Sequence, residues 1–376
     1  VSDIMGEEGT GGARTPHSGF VYRGVSYDTG CNFATGQGPI SRAVWSTHRM
    51  KEETDAIRNG LNCNSITIFG TDFDRMNETV AEAVDLGLHV WLQPRLVDRP
   101  QSEVLEHLAE GARLAESFRR QGADIHYSIG CVHTVQTPGI VPGEQYHERM
   151  GNLYADQSGH HFFKPTGKFS PADARNNLDD FLRKAAAVAR QNFGGGLIYS
   201  AGPFEDVDWN LLDYIGLTYY YSVHETRDGY AQELNAYQKW GKPVVISEYG
   251  SPAYAGAAQR GLLAFDVADR TRQPAVIFDG YVRDEEAQAD FHRRMLRMFE
   301  ELGIHSVAVA EFIHPTHPHS PDPRYDLDIA SWALTRTMRD TFTDWASPYR
   351  WEPKKAFHAI AEYYADAQKR SLQATR

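Results

Sequence analysis

The segment Lys242-Pro-Val-Val-Ile-Ser-Glu-Tyr-Gly250 places one acid, Glu248, at the end of a short apolar run. Val244, Val245 and Ile246 are β-branched, and Pro243 and Gly250 bound the run, so it reads as a buried strand. A carboxylate at the end of such a strand can be held rigid, partly desolvated and aimed into a pocket, as a nucleophile or general base requires. The same placement also suits a carboxylate that pairs with an arginine or caps the next turn.

Similar runs recur along the 376 residues. Strands are predicted at 20–27, 64–69, 89–94, 124–129, 196–200, 214–220, 243–248 and 306–312. Helices are predicted at 41–59, 77–85, 101–121, 172–191, 230–240, 284–302 and 354–367, where apolar residues repeat at three- and four-residue spacing, as in Val104, Leu108, Ala112 and Ala115. Strand and helix in regular alternation predict an α/β fold, a single-domain (β/α)8 TIM barrel over residues 19–370, preceded by a flexible segment, 1–18. An open doubly wound sheet is the competitor, but no GxGxxG follows the first strand, and Gly194-Gly195-Gly196 precedes a strand and reads as a helix stop. Long irregular stretches at 134–168, 255–283 and 313–327 all follow strand C-termini, the rim where such barrels carry their sites.

A net charge of −12 with both signs interspersed argues against a nucleic-acid partner. No run of eighteen apolar residues is present, so no membrane span is expected. Cys31, Cys63 and Cys131 are widely spaced and form neither a CxxC pair nor a disulfide framework, which fits a reducing cytoplasm. The chain begins at Val1, and a removed leader stays open.

The strand ending Ile246-Ser-Glu-Tyr-Gly250, seventh of eight, resembles that of the clan-A retaining glycoside hydrolases, which are built on (β/α)8 barrels. The resemblance implies that Glu248 stands at the place of the clan nucleophile. It also implies an Asn-Glu pair at the end of the fourth strand, the glutamate being the acid/base, but Ser128-Ile-Gly-Cys-Val-His-Thr134 puts Cys131 and Val132 there. Retaining hydrolysis needs two carboxyl groups about 5 Å apart, and valine supplies none. A clan arginine on the second strand is missing as well, with Thr67 at its position. Further phrases, among them Trp91-Leu-Gln-Pro-Arg-Leu-Val-Asp98, Gly139-Ile-Val-Pro-Gly143 and His319-Ser-Pro-Asp-Pro-Arg-Tyr-Asp-Leu-Asp328, resemble uncharacterised actinobacterial proteins labelled abortive-infection proteins. That group reads Gly-Cys-Glu at the fourth strand, so Val132 departs from it too. The resemblance implies a barrel turned to different chemistry, for example natural-product tailoring.

With Glu248 as one half of an acid/base pair, the other half has to come from the rim. Glu311, in the apolar run Val307-Ala-Val-Ala-Glu-Phe312, would carry a raised pKa beside Glu248, unless an arginine pairs with it. His133 follows the vacated acid position and titrates in the useful range, although strand alternation could turn it to the other face. Of Tyr219 and Tyr220, one should point inward and hold Glu248 or a substrate oxygen. Asp28, Gln93 and Arg95 are expected on the same rim, Arg95 either binding a substrate carboxylate or neutralising Glu248. Phe312 and other aromatics offer flat faces suited to sugars or polycyclic ligands, or simply core. The run His314-Pro-Thr-His-Pro-His-Ser-Pro-Asp322 reads as a polar rim loop rather than a metal site, because its prolines fix an extended chain without the usual ligand spacing, and His160-His161 reads likewise as loop. No metal or cofactor is expected.

The leading expectation is an enzyme that does acid/base chemistry at a C–O bond of a carbohydrate, a glycoside or an oxygen-rich cyclic metabolite. The alternatives are a catalytically inactive barrel that binds a sugar or a protein partner, and a metal-dependent hydrolase.

Overall fold

In the computed structural model, residues 19–33, 40–153, 166–220 and 227–374 are described. Eight strands form a closed, all-parallel barrel: β1 (Tyr22–Asp28), β2 (Ser65–Gly70), β3 (His89–Pro94), β4 (Ile125–Cys131), β5 (Leu197–Ala201), β6 (Tyr214–Thr218), β7 (Val244–Tyr249) and β8 (Ser306–Val309). Each pairs with its neighbours in sequence, and β8 closes on β1 with Tyr22 opposite Ser306 and Val25 opposite Val309. This is the (β/α)8 barrel expected, and every strand lies within a few residues of its predicted place.

Helices cover the outside, and their ends carry the signals that set them. Asp72 caps Phe73–Asp85 by accepting from the Arg75 amide, and Ser170, followed by Pro171, caps Pro171–Asn192. The helix predicted from residue 41 begins at Thr47 instead, because the Ser46 side chain accepts from the Arg49 amide and fixes the start there. Residues 41–46 stay irregular, which leaves Ser41 free to bind the end of β1. The longest helices bury one face each, as Leu178, Phe181, Leu182, Ala185 and Ala189 do. Among the described residues no helix is long and apolar enough to cross a membrane.

The long loops carry more order than expected. The β4 loop holds a short helix, His133–Gln136, and another, Tyr146–Leu153; the β7 loop holds a hairpin of Ala268–Asp269 with Val276–Ile277. After β8, Thr335–Arg339 pairs antiparallel with Tyr349–Pro353. The strand register slips near the C-terminal ends of β4, β6 and β7, between Ser128 and Cys131 and between Leu217 and Thr218. Irregular pairing of this kind re-aims the side chains that follow it.

Candidate active site

The C-terminal mouth of the barrel opens into a cavity of about 340 Å³. Its floor is polar, with Asp28, Arg95, Thr218, Tyr220, Glu248 and Glu311, whereas Phe33, Tyr146, Phe204, Leu262, Phe265 and Trp332 make its walls largely apolar.

Glu248 is 7 % exposed and held from two sides. The Arg95 guanidinium makes a short ion pair with Oε1, and the Tyr220 hydroxyl donates to Oε2 at 2.8 Å. Arg95 is itself fixed. Its Nε and Nη2 donate to Gln93 Oε1 at 2.8 and 2.6 Å, while Gln93 Nε2 donates to the Ser128 and Ser200 hydroxyls, both at 3.1 Å. The Phe69 ring lies 3.8 Å from the guanidinium carbon. Four neighbouring strands, β2 to β5, therefore hold the arginine that holds Glu248. Of the two uses expected of Arg95, the geometry realises the pairing with Glu248.

Glu311 follows β8 and faces the same cavity. Burial pushes its carboxyl well above the usual carboxylate range, Asp28 and Glu248 add to the rise, and Arg95 opposes it. The alternative reading, a glutamate paired with an arginine, is not what the described residues show. Its close neighbour is His314 Nδ1, 3.3 Å away and poorly aligned for a hydrogen bond. Burial lowers the His314 imidazole to about 3, with Arg270 and Lys354 reinforcing the effect, so the histidine is neutral near pH 7 and gives Glu311 no cationic partner. Asp28 lines the cavity too, but Ser41 and the Gly30 amide already donate to its oxygens.

Other expected site residues lie outside the cavity. His133 is turned outward between β4 and Pro171–Asn192: Nε2 meets the Ile129 carbonyl at 2.7 Å, Nδ1 meets Thr137 at 2.8 Å, and the ring packs on Tyr199 and Phe181. Burial takes it down to about 4. The shift to the other face is therefore the reading that applies, and His133 is withdrawn from the site. Tyr219 also points away, its hydroxyl donating to Glu233 at 3.1 Å, so Tyr220 is the inward member of the pair. Phe312 is fully buried among Tyr27, Trp351 and Phe357 and is core. Gln93 acts through Arg95 rather than from the cavity wall. His160 and His161 lie outside the described residues.

Val132 lines the cavity at the head of the short helix after β4, in left-handed backbone at φ 43°. It sits among Val135, Met150, Phe204, Leu262 and Phe265, so the place where the resemblance called for an acid is apolar throughout. Cys131 beside it is buried, and burial raises its thiol to about 12. The histidine run divides in two. His314 and His317 line the cavity with ring centres 3.9 Å apart, whereas His319 meets Asp326 at 2.9 Å and ties the loop to Arg283.

Among the described residues, His89, Asp124 and His126 bring metal-capable atoms within 4.8 Å of one another, at the opposite end of the barrel. The imidazole nitrogens there are already used: His89 bonds Ser65 and His126, and His126 bonds Tyr214.

No family model matches this chain, and no curated protein matches it in sequence. Solved structures do match in fold. A GH113 β-1,4-mannanase superposes with a TM-score of 0.54 at 15 % identity, covering 93 % of this chain and 98 % of the mannanase. A family 1 β-glucosidase from Thermotoga maritima gives 0.53 at 12 % identity over 94 % and 97 % of the two chains. A GH5-4 broad-specificity endoglucanase from Clostridium longisporum gives 0.51 at 14 % over 92 % and 96 %. The chain shares the barrel architecture of these glycoside hydrolases.

Proposed function

We propose that this chain is an enzyme that does acid/base chemistry at a C–O bond of a small, oxygen-bearing substrate: a carbohydrate, a glycoside or a cyclic metabolite. The observation that carries this reading is the meeting of two carboxyl groups with different partners in one cavity. Glu311 is driven toward its protonated form by burial and neighbouring acids, while Glu248 is bound by a guanidinium and a phenol. The raised pKa of Glu311 makes it the acid of the pair, and Glu248 takes the other role. Glu311 donates its proton to the departing oxygen, and Glu248 attacks the carbon or takes a proton from the incoming group.

The match in fold to a mannanase, an endoglucanase and a β-glucosidase supports a ligand with sugar-like ring and oxygen chemistry. Val132 argues that glycosidic cleavage by the usual fourth-strand acid is not the reaction, which favours a repurposed addition, elimination or cyclisation, as in the tailoring of a natural product. A second reading, an inactive barrel that binds its ligand, draws on the same Val132 and on the Arg95–Glu248 ion pair.

Incubating wild type, Glu248→Gln and Glu311→Gln with a metabolite extract of the source organism and following small molecules by mass spectrometry separates these readings. Enzyme action requires a compound that wild type consumes and both variants spare. Two products whose masses sum to substrate plus water indicate hydrolysis, one product heavier by water indicates hydration, loss of water or an alcohol indicates elimination, and an unchanged mass indicates isomerisation or cyclisation. Identical extracts from all three proteins would leave only the binding reading.

A further inference from the structure

Separated from Glu311 by the rings of His314 and His317, the cavity holds a charge that the reaction does not use. Arg270 lies in the turn of the Ala268–Ile277 hairpin and lines the cavity beside His314 and His317. Its Nη2 stands 3.0 Å from His317 Nε2, and its Nη1 is shut off from water without a partner. Among the described residues no carboxylate makes an ion pair with it; Asp266 attracts it from farther away. Both histidines are held neutral, first by burial, so they neither compete with the guanidinium nor compensate it. An arginine cannot escape such a position by losing its proton. A largely desolvated cation without a counter-ion is unfavourable, so the site as built calls for an anion.

The rest of the lining limits what carries that anion. Phe204, Leu262, Phe265 and Trp332 line the same cavity, and offer a ligand apolar contact rather than hydrogen bonds. We propose that Arg270 anchors an anionic group, a carboxylate or a phosphate, on an otherwise largely apolar ligand. Resting on the acid/base reading above, that ligand is the substrate, presented to Glu248 and Glu311 by its other end. Charge recognition by one guanidinium would fix which end of the molecule reacts.

The test needs no turnover. Cyclohexanecarboxylate, cyclohexyl phosphate and the uncharged cyclohexylmethanol are titrated calorimetrically into the full chain and into Arg270→Gln, Arg270→Lys and Glu248→Gln. At least one anion should bind ten or more times tighter than the alcohol, and the stronger of the two identifies the group. Arg270→Gln should abolish that preference, Arg270→Lys should keep part of it, and Glu248→Gln should retain it. The preferred anion should also raise the wild-type melting temperature with concentration while the alcohol does not, a readout independent of whether the variants fold. Equal binding of all three probes, no binding by either anion, or full selectivity in folded Arg270→Gln would overturn the proposal. If the preference depends on Arg270 but Glu248→Gln still turns over substrate, the anchor stands and the acid/base reading falls.

Discussion

Arg95 reaches from the end of β3 across the barrel mouth to Glu248 at the end of β7, so residues 153 positions apart form one buried ion pair. The two strands stand opposite each other in the eight-strand ring, and only closure of the barrel brings them together. Removing one partner leaves the other charge without compensation in a site that little water reaches. Arg95→Leu should therefore lose about 3–5 kcal/mol of stability in urea unfolding, and Arg95→Leu/Glu248→Gln should recover a large part of it. Additive losses in the double variant would show that the pair is not coupled.

Glu311 ties activity and stability to pH in the same direction. Its folded pKa lies above its ordinary value of 4.5. Its contribution to stability is thus complete below that value and is lost as pH rises through the folded pKa, because the native state then keeps a proton the unfolded chain has released. Glu311→Gln should melt at a higher temperature than wild type on the alkaline side, with the gap widening as pH rises above the ordinary value of 4.5. Turnover by wild type should fall over the same rise if Glu311 supplies the proton. A gap that is constant with pH would contradict the shift.

Aryl glycosides should be poor substrates, since general-acid help is worth about 10²–10⁴-fold and Val132 offers none. In a nitrophenyl sugar panel, Val132→Glu should raise whatever trace rate exists. The new side chain enters the cavity that Glu248 faces, and it replaces a β-branched residue in left-handed backbone, where such residues fit poorly. A brisk wild-type rate, or a lower rate in Val132→Glu, would show that Glu311 already meets the need.

Acid sensitivity has a separate origin. His292 is fully buried against Tyr249 and Phe291, neither ring nitrogen has a partner, and burial with help from Lys354 lowers it to about 3. The unfolded chain binds a proton at this residue below pH 6.5 and the native state does not, so stability falls with pH between 6.5 and about 3. The slope is about 1.4 kcal/mol per pH unit for one such group. His292→Leu removes that slope without orphaning a hydrogen-bond partner and should melt higher than wild type below about pH 6. Parallel melting curves from pH 7 down to about 4 would count against the assignment.

The sequence by itself determined the barrel. Apolar strand runs, helical periodicity and their alternation are local signals, and each strand lies close to where its own residues put it because burial on both faces leaves a parallel strand little freedom. Glu248 and Glu311 were legible for the same reason, as lone acids at the ends of apolar strands. The empty acid position at Val132 was legible too, although only as a departure from a resemblance.

Tertiary structure decided which side chains share the cavity. His133 and Tyr219 differ by one position from residues that face inward, and register slips at the ends of β4 and β6 set which way each turns. Gln93, Ser128 and Ser200 become one support for Arg95 only when three strands lie side by side. Arg270, His314 and His317 sit on two loops that no periodicity places, and their meeting rests on the closed barrel beneath them. Local chemistry fixes the elements. The site depends on long-range closure, and a side chain's neighbours there are set by pairing register and loop packing, neither of which is written in the residues next to it.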